Sequence, residues 1–190
     1  MKNKRIFITG IPTAGKSFLG KKLAEKIGGI CVSIDDIREN LSKDERYKKW
    51  VNFYLDQDEY IYYATTNPDK QWNNLVKQSE GFWPGILKKI REYDNEVKPL
   101  IIEGTNILPH LAHNDLDMPG ITIIGKSFEE VLERNIKDPR WGKTEELQKL
   151  EASSFFNIER PHFKSESEKY GYKVFETPDD AWNVAIKLLS

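Results

Sequence analysis

The chain has 190 residues, 38% of them hydrophobic and 12% aromatic, enough to bury one sizeable core and near the upper size for one compact domain. Its 29 lysines and arginines nearly balance 30 aspartates and glutamates, and the net charge of −1 excludes a global positive field that would hold a nucleic-acid duplex without regard to sequence. The single cysteine, Cys31, excludes an internal disulfide, and no apolar stretch has the length of a signal peptide or a membrane span. A soluble, cytoplasmic, single-domain protein over residues 1–190 with no membrane partner is expected.

In chain order, residues 5–9 read as a buried strand followed directly by Gly10-Ile11-Pro12-Thr13-Ala14-Gly15-Lys16-Ser17. This Gly-x-x-x-x-Gly-Lys-Ser run is a phosphate-binding loop. Its glycines let successive backbone N–H groups turn toward a β-phosphate, Lys16 can span β and γ oxygens, and the Ser17 hydroxyl can ligate Mg²⁺. A helix over 16–27, striped by Leu19, Leu23 and Ile27, adds its positive end. Gly10, Thr13, Ala14, Gly15, Lys16, Ser17 and Phe18 are the candidate nucleotide-binding residues, with ATP and Mg²⁺ as the expected cofactors.

A second strand, over 30–34, runs into Ser33-Ile34-Asp35-Asp36-Ile37-Arg38. Carboxylates at strand ends of a parallel sheet converge on the ligand crevice, so Asp35 is the candidate general base and a possible Mg²⁺ neighbour through water. Arg38 can clamp an anionic group; Asp36 is a weaker substrate candidate that can equally cap the following helix. Cys31 reads as core filler.

Between about 41 and 93 there is no good strand, only helical segments crowded with aromatic residues such as Tyr54, Tyr62, Tyr63, Trp72, Phe82 and Trp83. This reads as a helical insertion beside the carboxyl ends of the strands, a natural acceptor lid. Most of its aromatics would form the insertion's own core, leaving two or three to face a substrate.

A third strand over 100–103 ends in Glu103-Gly104-Thr105-Asn106, where Glu103 could orient Mg²⁺-bound water or the acceptor and Thr105 and Asn106 could hydrogen-bond a substrate. Strands over 121–124 and 174–175 and helices over 128–136, 144–170 and 179–189 complete the alternation. The fold expected is α/β: a three-layer sandwich with a five-stranded parallel sheet and right-handed crossovers. Residues 134–143, short, basic and broken by Pro139 and Gly142, read as a lid whose Arg134 and Arg140 can stabilise charge on a transferring phosphoryl group. His110, His113 and His162 lack zinc-ligand spacing.

The strings Ser33-Ile34-Asp35-Asp36-Ile37-Arg38, Ile102-Glu103-Gly104-Thr105-Asn106 and Glu133-Arg134-Asn135, in this order after the phosphate loop, resemble the P-loop kinases that include zeta toxins and 2-phosphoglycerate kinases, and the kinase domain of phage-type polynucleotide 5′-kinases. The resemblance implies a nucleoside-kinase-like fold with a mobile lid and transfer of the ATP γ-phosphate to a hydroxyl. It implies Asp35 as base, Arg38 as acceptor-phosphate clamp and Arg134 as a lid residue on the donor phosphates. The polynucleotide kinases carry Asp-Thr-Asn after the third strand; Glu103-Gly104-Thr105 is closer to the zeta-toxin string, and the aromatic insertion matches no member residue by residue.

Three function classes remain. A kinase of a small-molecule hydroxyl acceptor suits the neutral charge and the enclosed insertion. A polynucleotide or nucleotide kinase would need Lys43, Arg46, Lys48 and Lys49 to line an acceptor groove rather than a solvated helix face. A regulatory NTPase would leave Asp35 and Arg38 without a task, and the guanine-reading Asn-Lys-x-Asp string is absent at a suitable strand end.

Overall fold

The computed structural model describes residues 4–189. Strands β1 (Arg5–Gly10), β2 (Ile30–Ser33), β3 (Leu100–Glu103), β4 (Gly120–Ile123) and β5 (Lys173–Phe175) form one sheet in the order β2-β3-β1-β4-β5. Every neighbouring pair is parallel. A parallel pair needs a long crossover, and the helices that supply it cover the sheet on both sides, so β3 and β4 are buried along their whole length and β1 beyond its first residue. Ile6, Phe7, Ile8, Ile101, Ile102, Ile121 and Ile123 are the core of that sheet, each without solvent contact.

Helix α1 (Lys16–Ile27) packs on β2 and β3, and against α10 (Pro178–Leu188). Helix α6 (Pro109–Asp115) packs against α9 (Arg160–Lys169), which lies along β4 and β5. The register sets Ile8 opposite Glu103, Gly10 opposite Ile123 and Ser33 opposite Glu103, so β2 and β3 finish at one level and β1 and β4 run two residues further. The chain leaves β1 for β2 on one side and later crosses to β4 on the other, so the crevice over β1 and β3 is the topological switch point where ligands sit in such sheets. No helix among the described residues is long and apolar enough to cross a membrane.

Between β2 and β3 the chain is wholly helical: α2 (Ile34–Leu41), α3 (Glu45–Val51), α4 (Glu59–Thr65) and α5 (Pro68–Arg91). Asp44, Asp58 and Asn67 cap α3, α4 and α5 by accepting from Arg46, Ile61 and Lys70 N–H groups, which explains three helix starts in so short a stretch. The 24 residues of α5 run about 36 Å and carry the buried Leu75, Phe82, Trp83, Ile86 and Ile90 that anchor the insertion to the main core. The cations of α3 are consumed locally: Arg46 pairs with Asp44 at 2.6 Å, Lys48 with Glu45 at 3.1 Å, and Lys49 lies over the Trp50 ring.

Several boundaries differ from expectation. Ile34 opens α2 rather than ending β2, because its buried side chain packs under Gly104. The single helix expected over 144–170 is three pieces: α8 (Glu145–Ser153), a π-helical turn over Ser154–Glu159, and α9. Pro161 has no N–H to give the carbonyl four residues back, and the Arg160 N–H instead reaches Phe155 O, five residues back. α7 (Phe128–Lys137) likewise runs into the expected lid, so the irregular part spans 138–144.

Candidate active site

The loop between β1 and α1 is shaped by backbone that side chains disfavour. Gly10 has φ 128° and a Cβ there would lie 1.9 Å from Ile123 O, so only glycine fits; Thr13 and Gly15 also take left-handed φ values, 58° and 95°. Such alternation turns successive N–H groups inward into an anion-binding concavity, continued by the N-terminus of α1. Thr13 and Ala14 are buried in this loop, and Phe18 is 60% exposed, its ring beside Lys22 rather than inside the concavity.

Lys16 is buried, and its Nζ donates to Ile11 O at 2.6 Å, so the ammonium is held under the loop by the loop's own carbonyl. Burial lowers its pKa to about 8, with Glu103 opposing that shift and Arg140 adding to it. A phosphate would relieve the burial and replace the carbonyl, which is how the residues present fit a nucleotide. Arg134, on α7, gives Nη1 to Thr13 O at 3.3 Å and Nη2 to Glu130 at 3.4 Å, and so lies against the same loop.

The acidic residues separate by position. Asp35 is half-buried and forms ion pairs with two arginines, Arg38 at 3.4 Å and Arg140 at 3.7 Å. Asp36 is exposed on the first turn of α2, outside the cavity described below. Glu103 is buried beside Lys16 and Ser17; burial pushes its carboxyl up while Lys16 and the Ser17 hydroxyl oppose. Glu103 thus stands on the phosphate-loop side, while Asp35, Arg38, Thr105, Asn106 and Arg140 line one cavity.

That cavity has a volume of about 450 Å³ and lies between the strand ends, the insertion and the lid. Tyr54, Tyr62 and Tyr63 of the insertion form its aromatic wall with Trp141 of the lid, ring centroids 5.2–6.3 Å apart. Burial pushes the Tyr54 and Tyr63 hydroxyls well above their usual pKa, so they stay protonated. Phe82 and Trp83 are instead core residues, and Trp72 stacks on His162 at 4.5 Å. Asn106 is more committed than its sequence context implies: its Nδ2 donates to Ser79 Oγ at 2.8 Å and Gln78 Oε1 at 3.4 Å, tying the β3 end to α5.

Three carboxylates escaped sequence reasoning. Glu151 of α8 accepts from the Trp141 and Gly142 N–H groups at 3.0 and 3.3 Å and from Asn135 Nδ2 at 2.8 Å, and so fastens the lid. Glu59 of α4 faces it: burial, then the Glu151 charge, pushes Glu59 up to about 7. Glu159, at the end of the π turn, lines the cavity, and burial pushes it up to about 8 against the pull of Lys16. Their sequence context is ordinary amphipathic helix; Pro161 is the one signal of the irregular turn that places Glu159.

His110 lies between Glu80 and Glu166, at 3.3 and 3.2 Å, and no group of three or more histidine, cysteine or acidic residues able to hold a metal occurs among the described residues. Burial, then Glu103, pushes the Cys31 thiol up to about 12, leaving it unreactive.

No protein-family model matches the chain. A stretch of 75 residues is 33% identical to the adenylate kinase of Mesomycoplasma hyopneumoniae (strain 232); it covers 39% of this chain and 32% of that protein, so the chain spans about a third of the length of the curated relative it matches. Among solved structures, TT1252 from Thermus thermophilus superposes with TM-score 0.61 at 17% identity, covering 100% of both chains. Shikimate kinase from Acinetobacter baumannii in complex with shikimate gives 0.54 at 16% identity, over 98% of this chain and 91% of that one. Deoxyadenosine kinase from M. mycoides with bound dATP gives 0.50 at 15%, over 97% and 96%. With its five parallel strands, flanking helices and glycine-shaped loop, the chain has the P-loop kinase fold.

Proposed function

We propose that the chain is an ATP-dependent phosphotransferase that moves the γ-phosphate to a hydroxyl of a small-molecule acceptor. The observation that carries this reading is the position of Asp35: it lines a partly open cavity beside Lys16, between Arg38 and Arg140. A simple NTPase has no need of a carboxylate held over a separate cavity of drug-like size. The local similarity to an adenylate kinase and the fold shared with shikimate and deoxyadenosine kinases support the class.

In this reading Gly10, Thr13, Ala14 and Gly15 supply the loop that binds ATP, Phe18 adds its backbone on the first turn of α1, and Lys16 leaves Ile11 O to span the β- and γ-phosphates. Asp35 accepts the acceptor-hydroxyl proton; the hydroxyl oxygen forms a bond to γ-phosphorus as the β,γ-bridging P–O bond breaks, and ADP leaves with that electron pair. Arg140 turns from Asp35 to the equatorial oxygens, with Arg134 on the donor side. Arg38 holds Asp35 in place, and Thr105 and Asn106 face the acceptor. Ser17, with Asp35 or Glu103 through water, would hold Mg²⁺, which supplies charge neutralisation at the phosphates.

A nucleotide acceptor is the second reading, favoured by the adenylate kinase similarity. A polynucleotide acceptor finds less support, because Lys43, Arg46, Lys48 and Lys49 are exposed on and beside α3 and absent from the cavity wall. The kinship to zeta toxins and 2-phosphoglycerate kinases rests on the strings around Asp35, Glu103 and Arg134. Transfer of γ-³²P from Mg-ATP to a panel of hydroxyl compounds, nucleosides, nucleotides and a 5′-hydroxyl oligonucleotide tests the reading. Label in a small hydroxyl compound supports it; label in a nucleotide or oligonucleotide replaces the acceptor class, and release of free phosphate alone with every acceptor removes the kinase assignment.

A further inference from the structure

Two of the neutral polar side chains of the acceptor cavity, the amides of Gln71 and Gln78, are already engaged by the protein. Gln71 gives Nε2 to Thr66 O and takes Ser154 Oγ on Oε1, both at 2.7 Å. Gln78 gives Nε2 to Trp50 O at 3.1 Å and takes Asn106 Nδ2 on Oε1. Both guanidinium groups of the wall, Arg38 and Arg140, lie on Asp35. Of the four enclosed side-chain atoms without a hydrogen-bond partner among the described residues, Glu159 Oε2 is the one that belongs to a residue of the cavity wall.

The surroundings of that atom narrow what it can meet. Five carboxylates line the cavity, Asp35, Glu39, Asp138, Glu151 and Glu159, against the two guanidinium groups. The cation acting on Glu159 is Lys16, whose Nζ is held by Ile11 O and, once ATP is bound, by phosphate. Tyr54, Tyr62, Tyr63 and Trp141 give the same cavity an aromatic wall, the setting in which a bound cation gains most from ring faces. A neutral polyol would find the Gln71 and Gln78 amides engaged and only Thr105 and Asn106 to meet it, and an anionic substituent would meet the acidic excess with both guanidinium groups already paired with Asp35.

We infer that the acceptor is a hydroxyl compound that also carries a protonated amine, of the amino-alcohol or amino-sugar class, whose cationic end sits between Glu159 and the tyrosine–tryptophan wall while its hydroxyl faces Asp35. The inference rests on the kinase reading above and adds the charge of the acceptor to it. Burial keeps Glu159 protonated up to about pH 8 in the free protein, and a cation at Oε2 draws that proton off. The π turn is what puts the carboxylate there, since one extra residue rotates the following side chains by about 100° around the helix axis.

Calorimetry on the intact protein loaded with Mg²⁺ and a non-hydrolysable ATP analogue tests it with matched probes: choline against 3,3-dimethylbutanol, glucosamine against glucose and glucose 6-phosphate, and kanamycin against its N-acetylated form. At least one cationic probe is expected to bind about tenfold or more tighter than its uncharged counterpart. Glu159→Gln should bring that ratio to about one, and Glu159→Asp, which keeps the charge, should preserve its direction. Equal or tighter binding of the uncharged or phosphorylated probes, binding of no cationic probe, or an undiminished ratio in Glu159→Gln overturns the inference. Parallel γ-³²P transfer separates the two levels: label on neutral or anionic acceptors alone refutes the amine and leaves the kinase standing, whereas hydrolysis without transfer to any acceptor refutes the kinase reading itself.

Discussion

Asp35 and Arg140 meet at 3.7 Å although one follows β2 and the other belongs to the lid beyond α7. The contact ties the 138–144 segment, the proposed lid, to the strand ends, and in the proposed mechanism Arg140 would exchange Asp35 for phosphate oxygens. Asp35→Asn keeps the shape and removes the basicity. It should lower kcat by about 10²- to 10⁴-fold while ATP affinity changes little. Equal loss of both, measured by steady-state kinetics and by nucleotide titration, would assign Asp35 to binding or to the fold.

Arg140 and Lys16 each hold a protein oxygen that phosphate would replace, but their loss should differ in severity. Arg140→Ala should cost about 10²- to 10³-fold in kcat, and Arg140→Lys should recover only part of it because the planar fork is lost. Lys16→Ala should abolish transfer almost entirely. An Arg140→Ala enzyme with unchanged kcat and raised KM would make the residue a binding group for the acceptor instead.

The phosphate loop, and the residues Asp35, Arg38 and Arg140 that meet in one cavity, were legible in the sequence for a physical reason: they stand contiguously at one strand end, or in a short basic break after a helix, and both survive as local patterns. The alternation of apolar runs and helical stripes gave the five strands for the same reason. Glu59, Glu151 and Glu159 were not legible, because each occupies an ordinary amphipathic helical position and becomes interior only through contacts far away in sequence. Asn106 was legible as a polar residue after β3, but its tie to Ser79 depends on where α5 crosses, which no local pattern encodes.

Glu151 holds the lid by accepting from two consecutive backbone N–H groups, Trp141 and Gly142. Glu151→Ala leaves these and Asn135 Nδ2 without their acceptor and should cost about 1–3 kcal/mol. Glu151→Gln, which retains an acceptor oxygen, should cost less. Hydrogen exchange provides the check: the Trp141 and Gly142 amides should accelerate selectively in Glu151→Ala. Unchanged protection there would mean that the lid is held by its aromatic contacts with Tyr54, Tyr62 and Tyr63.

Two glycines with positive φ should respond very differently to alanine. At Gly10 the new Cβ would fall 1.9 Å from Ile123 O, whereas at Gly28, φ 65°, nothing lies within 4 Å. Gly28→Ala should therefore carry only the left-handed backbone penalty of about 1 kcal/mol, and Gly10→Ala should cost at least about 3 kcal/mol and displace the β1–β4 contact. Thermal denaturation of the two variants side by side decides it; similar losses would mean that β4 yields easily at Ile123.

Glu159 links the cavity to the stability of the chain through its proton. Burial raises its pKa from 4.5 to about 8, so between these values the folded state binds more protons than the unfolded state. Stability must then fall as pH rises through that window, and the loss is complete above about pH 8. Glu159→Gln cannot titrate and escapes the loss. The variant should match the parent near pH 4.5 and gain on it progressively toward pH 8, at no more than about 1.4 kcal/mol per pH unit. Glu59, raised to about 7, titrates in both proteins and cancels from the difference. Denaturant unfolding at a series of pH values measures the gain. A gain of the same size at both ends of the window would assign it to packing, and Glu159 would then be ionised in its cavity already in the free protein.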